Sequence, residues 1–162
     1  MADASDPKRK LVVLALASAI AVPMEGMRQW AYRDPVGIPT ICMGSTAGVK
    51  MGDFRTLDEC KALLTKEMTD VIETVDRCRP GLPPKVLAAF SDAAYNVGEK
   101  IACDGARSTA ARMLADGNLI GACNQLAVWD KARVAGFLVA LPGLTKRRAM
   151  ERELCLQGVE ER

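Results

Sequence analysis

The chain contains no histidine. That single absence removes Ser-His and Cys-His nucleophile pairs and every His-ligated metal scheme. Any catalysis must therefore run on Asp, Glu, Lys, Tyr, Ser, Thr or Cys. A strong net charge is missing too. There are 22 Lys and Arg against 20 Asp and Glu, a formal +2. This is too little to argue for nucleic acid, yet it is no obstacle to approaching an anionic polymer such as a bacterial wall. None of the cysteine spacings forms a C-x-x-C pair, which weakens zinc and redox-motif readings. Internal repeats and low-complexity linkers are also lacking, so the 162 residues read as one domain or two small lobes sharing a core. The longest apolar run covers residues 11–24 and falls short of the roughly 20 residues that span a bilayer.

What is present fits a globular protein, with 49% hydrophobic and 26% charged residues. The six cysteines are Cys42, Cys60, Cys78, Cys103, Cys123 and Cys155. An even count at wide spacing points to disulfides and an oxidising compartment. Buried free thiols in a cytosolic protein are the alternative, and spacing alone does not give the pairing.

Residues 11–24 (LVVLALASAIAVPM) follow the basic flank Lys8-Arg9-Lys10. Their length and flank fit three readings: an export anchor that later leaves the membrane, an ordinary core helix, or a cleaved signal segment. A cut after Ala21 would leave Glu25 near a frayed terminus, which disfavours cleavage. Pro23 and Gly26 bracket Glu25 and are expected to end the helix there. Trp30 to Arg33 reads as a strand, Asp34-Pro35-Val36-Gly37 as a turn, and Ile38 to Met43 as the returning strand. Thr56 with Glu59 forms a capping-box pattern ahead of a long helix, residues 57–78, with apolar residues at helical spacing. Everything after Pro84 reads helical: residues 85–97, 108–116, 119–129 and 145–156, with 134–141 a short apolar segment. The expectation is an α+β fold, mostly helical, in which a small β-hairpin lobe (25–56) is joined by a long helix (57–78) to a helical lobe (79–158). Residues 1–24 form the flank and apolar helix.

Glu25 and Asp34 are separated by a helix end and a hairpin turn, a route that brings two carboxylates across one cleft. Glycosidic cleavage needs a proton donor for the leaving oxygen and a second carboxylate for water or the sugar cation. A carboxyl at the end of an apolar segment is the natural donor, and Asp34 at an exposed turn is the natural carboxylate. Thr40 on the returning strand offers a hydroxyl for the water. The bland alternative makes Glu25 a helix-end charge and Asp34 a turn-former before proline. Trp30 and Trp129 suit sugar stacking, although core packing is their commoner use.

The pattern Glu25-Gly26-x-Arg28-x-x-Ala31-Tyr32-x-Asp34-x-x-Gly37-x-x-Thr40-Ile41 resembles the active-site signature of phage-type lysozymes, the endolysins. The likeness continues through Gly44, Glu59 to Leu64, Tyr95-Asn96-Val97-Gly98, Gly121-Ala122-Cys123 and Gly143-Leu144-Thr145-x-Arg147-Arg148 to Cys155. It implies a lysozyme-like fold that hydrolyses the β-1,4 bond between N-acetylmuramic acid and N-acetylglucosamine in peptidoglycan, as a monomer and without metal or cofactor. Glu25 would be the acid, with Asp34 and Thr40 completing the triad. Arg148, with Arg147 adjacent, would lie near Glu25 and pair with it. The resemblance further implies the pairs Cys42–Cys60, Cys78–Cys103 and Cys123–Cys155. The apolar start is similar to that of the signal-anchor-release subgroup, whose members are exported by the host, tethered in the inner membrane and then freed into the periplasm. Peptidoglycan strands and the inner membrane are thus the expected partners. Two departures from the pattern are Ser45 where a His is common, and Pro39 where an aromatic is common. Rival readings are a lytic transglycosylase, which needs only the acid, and a wall-binding protein without activity.

Overall fold

The computed structural model describes residues 6–162. In chain order the elements are α1 (Pro7–Glu25), β1 (Arg28–Arg33), β2 (Pro39–Cys42), α2 (Leu57–Cys78), α3 (Pro84–Val97), α4 (Lys100–Cys103), α5 (Thr109–Ala115), α6 (Leu119–Gln125), a 3-10 turn (Leu126–Trp129), β3 (Lys131–Val134), β4 (Phe137–Ala140) and α7 (Pro142–Glu160). The architecture is α+β and mostly helical, with two separate antiparallel hairpins. β2 contributes Ile41 and Cys42 to a small apolar cluster with Cys60, and the helices share the larger core.

The centre of the molecule is α3. Its residues Val86 to Ala94 are all buried, because a helix apolar on every side is stable only when surrounded. It is enclosed by α1, α2 and α7. α2 contributes the stripe Leu64, Met68, Ile72 and Val75. Its start is the expected capping box: Thr56 Oγ1 accepts from the Glu59 amide at 3.2 Å, and Glu59 accepts from the Thr56 amide at 2.7 Å.

α1 buries Val13, Ala17, Ile20 and Ala21 on one face. One turn before them, Arg9 is buried and donates to both carboxylate oxygens of Asp76, at 3.0 and 3.1 Å, and to the Leu82 carbonyl at 3.0 Å. Residues 11–24 are therefore a core helix in this structure. The helix ends at Glu25, where Pro23 and Gly26 were expected to end it, and Gly26 is the residue that does so. Placed in the final turn, Pro23 removes one hydrogen bond only, and the chain leaves the helix at Gly26, whose φ of 68° suits glycine. The opposite face keeps Leu11, Val12 and Val22 exposed. Among the described residues no helix is long and apolar enough to cross a membrane.

The expectation of an all-helical second half fails at one place. Residues 131–140 form the hairpin β3–β4, closed by Ala135 and Gly136 at φ 50° and 85°. Two successive left-handed residues make the tight turn that matches strand twist. The single turn α4 was not anticipated either. The three disulfides pair as the resemblance implied: Cys42–Cys60 ties β2 to α2, Cys78–Cys103 ties α2 to α4, and Cys123–Cys155 ties α6 to α7. In a domain of this size each contributes about 2–4 kcal/mol.

Candidate active site

Glu25 is the last residue of α1, and its side chain is 17% exposed. Its Oε1 accepts from Arg147 Nη1 on α7. Arg147 is itself fixed by Asp92 on α3, donating from Nε at 2.9 Å and from Nη2 at 2.8 Å. Asp92 and Arg147 are 0% and 2% exposed. Burial works against the charged guanidinium, but the hydrogen bonds and charges of Asp92 and Glu25 outweigh it and hold Arg147 above the ordinary arginine range. Three elements far apart in sequence thus converge on one guanidinium.

The arginine beside Glu25 is Arg147, not the expected Arg148. Neighbours on a helix point about 100° apart, so only one can reach toward α1 and α3. Arg148 turns inward and donates to Glu151 Oε1 instead. Burial drives Glu151 well above the usual carboxylate range, the nearby Asp92 carboxylate adds to this, and Arg148 opposes it.

On its other side the Glu25 carboxyl meets the backbone of Gly44. A Cβ built there would lie 2.7 Å from both Cδ and Oε2 of Glu25, and the φ of 94° excludes ordinary side chains independently. Gly44 is a wall, and only glycine lets it stand that close. Oε1 is thus held by a guanidinium, and Oε2 lies along a backbone surface.

Asp34 opens the turn of the first hairpin. Its Oδ1 accepts from the amides of Val36 at 2.9 Å and Ile38 at 2.8 Å, while its carbonyl accepts from Gly37 at 2.9 Å. The turn-forming role and a chemical role are compatible, since the turn occupies one oxygen. Thr40 is buried in β2, is paired with Tyr32 across the hairpin, and donates to the Ile38 carbonyl at 2.9 Å. Tyr32 links the two acids. Burial raises its phenol, the negative charges of Glu25 and Asp34 raise it further, and Arg28 opposes them from 4.3 Å over the ring. Both carboxylates therefore lie within electrostatic reach of one ring.

The tryptophans part company. Trp129 packs partly on the core, with Lys100 Nζ 5.7 Å from its ring centroid. Trp30, expected to be core, is 63% exposed and meets Phe54 at 5.0 Å between centroids. Among the described residues no group of three or more His, Cys, Asp or Glu side chains could hold a metal. Sequence reasoning missed Asp92 and Glu151. Asp92 did leave a signal, being the lone acid in the apolar run of α3.

A family model for phage lysozyme matches residues 22–151. The SAR-endolysin of Pseudomonas phage phiKMV is 38% identical over 146 residues, covering 88% of this chain and 89% of that protein. Crystal structures of two forms of the P1 phage endolysin Lyz share the fold. The active form aligns with a TM-score of 0.74 at 24% identity, covering 93% of each chain. The secreted inactive form aligns at 0.57 and 23% identity, covering 94% of this chain and 96% of that one.

Proposed function

The chain belongs to the phage lysozyme family, and from that premise we propose that it is a peptidoglycan-degrading endolysin working as a muramidase. Glu25 gives its proton to the glycosidic oxygen between N-acetylmuramic acid and N-acetylglucosamine. The C–O bond breaks toward that oxygen, and the sugar cation is captured by water. Asp34, through the oxygen its turn leaves available, takes the proton of that water, and the Thr40 hydroxyl orients it. Exchange with solvent returns a proton to Glu25. General acid–base assistance of this kind contributes roughly 10²–10⁴ in rate.

The observation that carries this reading is the two-sided seating of Glu25. Arg147 fixes Oε1 and Gly44 confines Oε2. A carboxyl that merely terminated a helix would need neither a buried, twice-anchored arginine nor a glycine wall. In the test, Glu25→Gln abolishes release of muropeptides from purified walls while thermal unfolding stays near wild type. Retained release would sink the assignment. Reducing ends in the products support hydrolysis, whereas anhydro-muramic ends support a transglycosylase.

The second part of the proposal concerns delivery. We read α1 as an export anchor in its released position, so that the protein is exported, tethered to the inner membrane and then active in the periplasm as a monomer. The SAR-endolysin of phiKMV is a relative over most of the chain, and the fold lies nearer the active than the inactive form of the P1 endolysin. α1 also carries Leu11, Val12 and Val22 into solvent, apolar side chains that a bilayer would cover. Shallow grooves flank it on both sides, one lined by Leu14, Thr69 and Ile72, the other by Leu16, Met150 and Leu154. That is the seating expected of a helix that docks last.

A further inference from the structure

Gly44 confines the Glu25 carboxyl, but a glycine turn has no side chain with which to hold itself in place. The residues on either side of it do the holding. Residues 41–45 form a tight loop closed by two backbone hydrogen bonds between Ile41 and Ser45, at 2.9 and 3.0 Å. Within it, Met43 and Ser45 are 4% and 3% exposed. The Ser45 hydroxyl donates to Glu67 Oε2 on α2 at 2.7 Å. The Tyr95 hydroxyl on α3 faces two acceptors, the Met43 carbonyl at 3.0 Å and the same Glu67 Oε2 at 3.1 Å. One oxygen of Glu67 thus gathers one hydroxyl from the loop, that of Ser45, and one from α3, that of Tyr95. Burial lifts the Tyr95 phenol well above its ordinary value, and the Glu67 charge lifts it further, so the hydroxyl stays a donor over the whole working range. The Cys42–Cys60 disulfide anchors the start of the loop to α2.

We infer that Glu67 and Tyr95 are positioning residues for the acid: they clamp the Met43-Gly44-Ser45 turn from α2 and α3 and so set where Glu25 Oε2 can point. The clamp joins this turn, α2 and α3 at the place where the acid sits. Arg147 fixes one oxygen of Glu25 by charge. The clamp fixes the other by excluded volume, acting through backbone. This inference rests on the reading of Glu25 as the acid. Neither Glu67 nor Tyr95 touches the reacting atoms in it.

The consequence is a separation of rate from binding. A turn that drifts gives Oε2 new orientations, and displacements of about 1 Å at a reacting group cost on the order of 10²-fold in rate. Neither Glu67 nor Tyr95 is assigned a contact to substrate, so KM is expected to stay near wild type. Muropeptide release from purified walls, followed as a function of wall concentration, separates kcat from KM. Tyr95→Phe removes one hydroxyl with almost no change of volume, and Glu67→Met removes the shared acceptor. Both are expected to lower kcat by roughly tenfold or more, with KM within about twofold of wild type, at a temperature where circular dichroism shows each folded. Glu67→Gln keeps an acceptor oxygen at the same reach and should recover most of the loss, which a purely electrostatic role for Glu67 would not allow. Should Glu67→Met fail to fold, Tyr95→Phe alone decides the matter. Wild-type kcat in Tyr95→Phe, or a rise confined to KM, overturns the clamp while Glu25→Gln remains inactive. If Glu25→Gln itself retains activity, the acid assignment falls first, and the clamp falls with it.

Discussion

Removal of Asp92 tests the buried heart of the site. Asp92 is 0% exposed, and both its oxygens are taken by Arg147, at 2.9 and 2.8 Å. Asp92→Ala leaves a guanidinium that is 2% exposed without its bidentate partner. Breaking a buried pair from one side costs about 3–5 kcal/mol, because the remaining charge stays out of water. Here the lower end applies. Glu151 lies 3.7 Å from Arg147 Nε, and Asp92 is one of the groups that hold Glu151 above its ordinary range. With Asp92 gone, Glu151 ionises more readily and offsets part of the lost charge. A destabilisation of about 3 kcal/mol is expected, a large share of the roughly 5–15 kcal/mol typical of a domain. It lowers the melting temperature by roughly 6–12 °C for a chain of this size. Urea unfolding of the oxidised protein at neutral pH measures it. Arg147→Met should cost a similar amount by leaving Asp92 unpaired. The double variant should cost clearly less than the two together, with a coupling on the order of 1–3 kcal/mol. Additive losses, or an Asp92→Ala midpoint within about 0.5 kcal/mol of wild type, would refute the account of a mutually dependent buried pair.

Two further outcomes can be measured. Glu151, held above the ordinary carboxylate range mainly by burial, takes up a proton on folding. Its contribution to stability is full below the ordinary carboxylate range and is lost as pH rises through its raised value. Glu151→Gln should therefore flatten the fall in stability as pH rises above the ordinary carboxylate range, as read by urea midpoints, and an unchanged slope would count against the raised value. The proposed anchor predicts that the full chain, expressed in a Gram-negative host, divides between the membrane fraction and the soluble periplasm. Asp76→Asn, which weakens the Arg9 contact that seats α1, should raise the membrane share, whereas a wholly cytosolic protein would exclude the anchor reading.

What was legible in the sequence was local or periodic. The Thr56–Glu59 capping box, the apolar spacing of α2 and the Asp34-Pro35-Val36-Gly37 turn each depend on neighbours within a few residues, and each appears as read. The hairpin β3–β4 escaped because Phe137, Leu138 and Val139 are all exposed. An exposed strand carries no alternation between core and solvent to announce it. Its turn depends on Ala135 adopting a positive φ, which alanine does not advertise.

At the site the same division holds. The residue types at Glu25, Asp34 and Thr40, in their order and spacing, were determined by the chain itself and are visible without any structure. The sequence alone also sufficed to rule out histidine chemistry. Only the tertiary structure decided which arginine meets the acid, because Arg147 and Arg148 differ by one helical step and packing against α1 and α3 selects between them. It alone brought Arg147 from α7 and the bare backbone of Gly44 to the same carboxyl, with Asp92 from α3 holding the arginine and Glu67 from α2 holding the loop. These contacts join positions separated by tens of residues. The geometry that turns Glu25 from a helix-end charge into a held carboxyl is a property of how helices pack, and no local pattern encodes it.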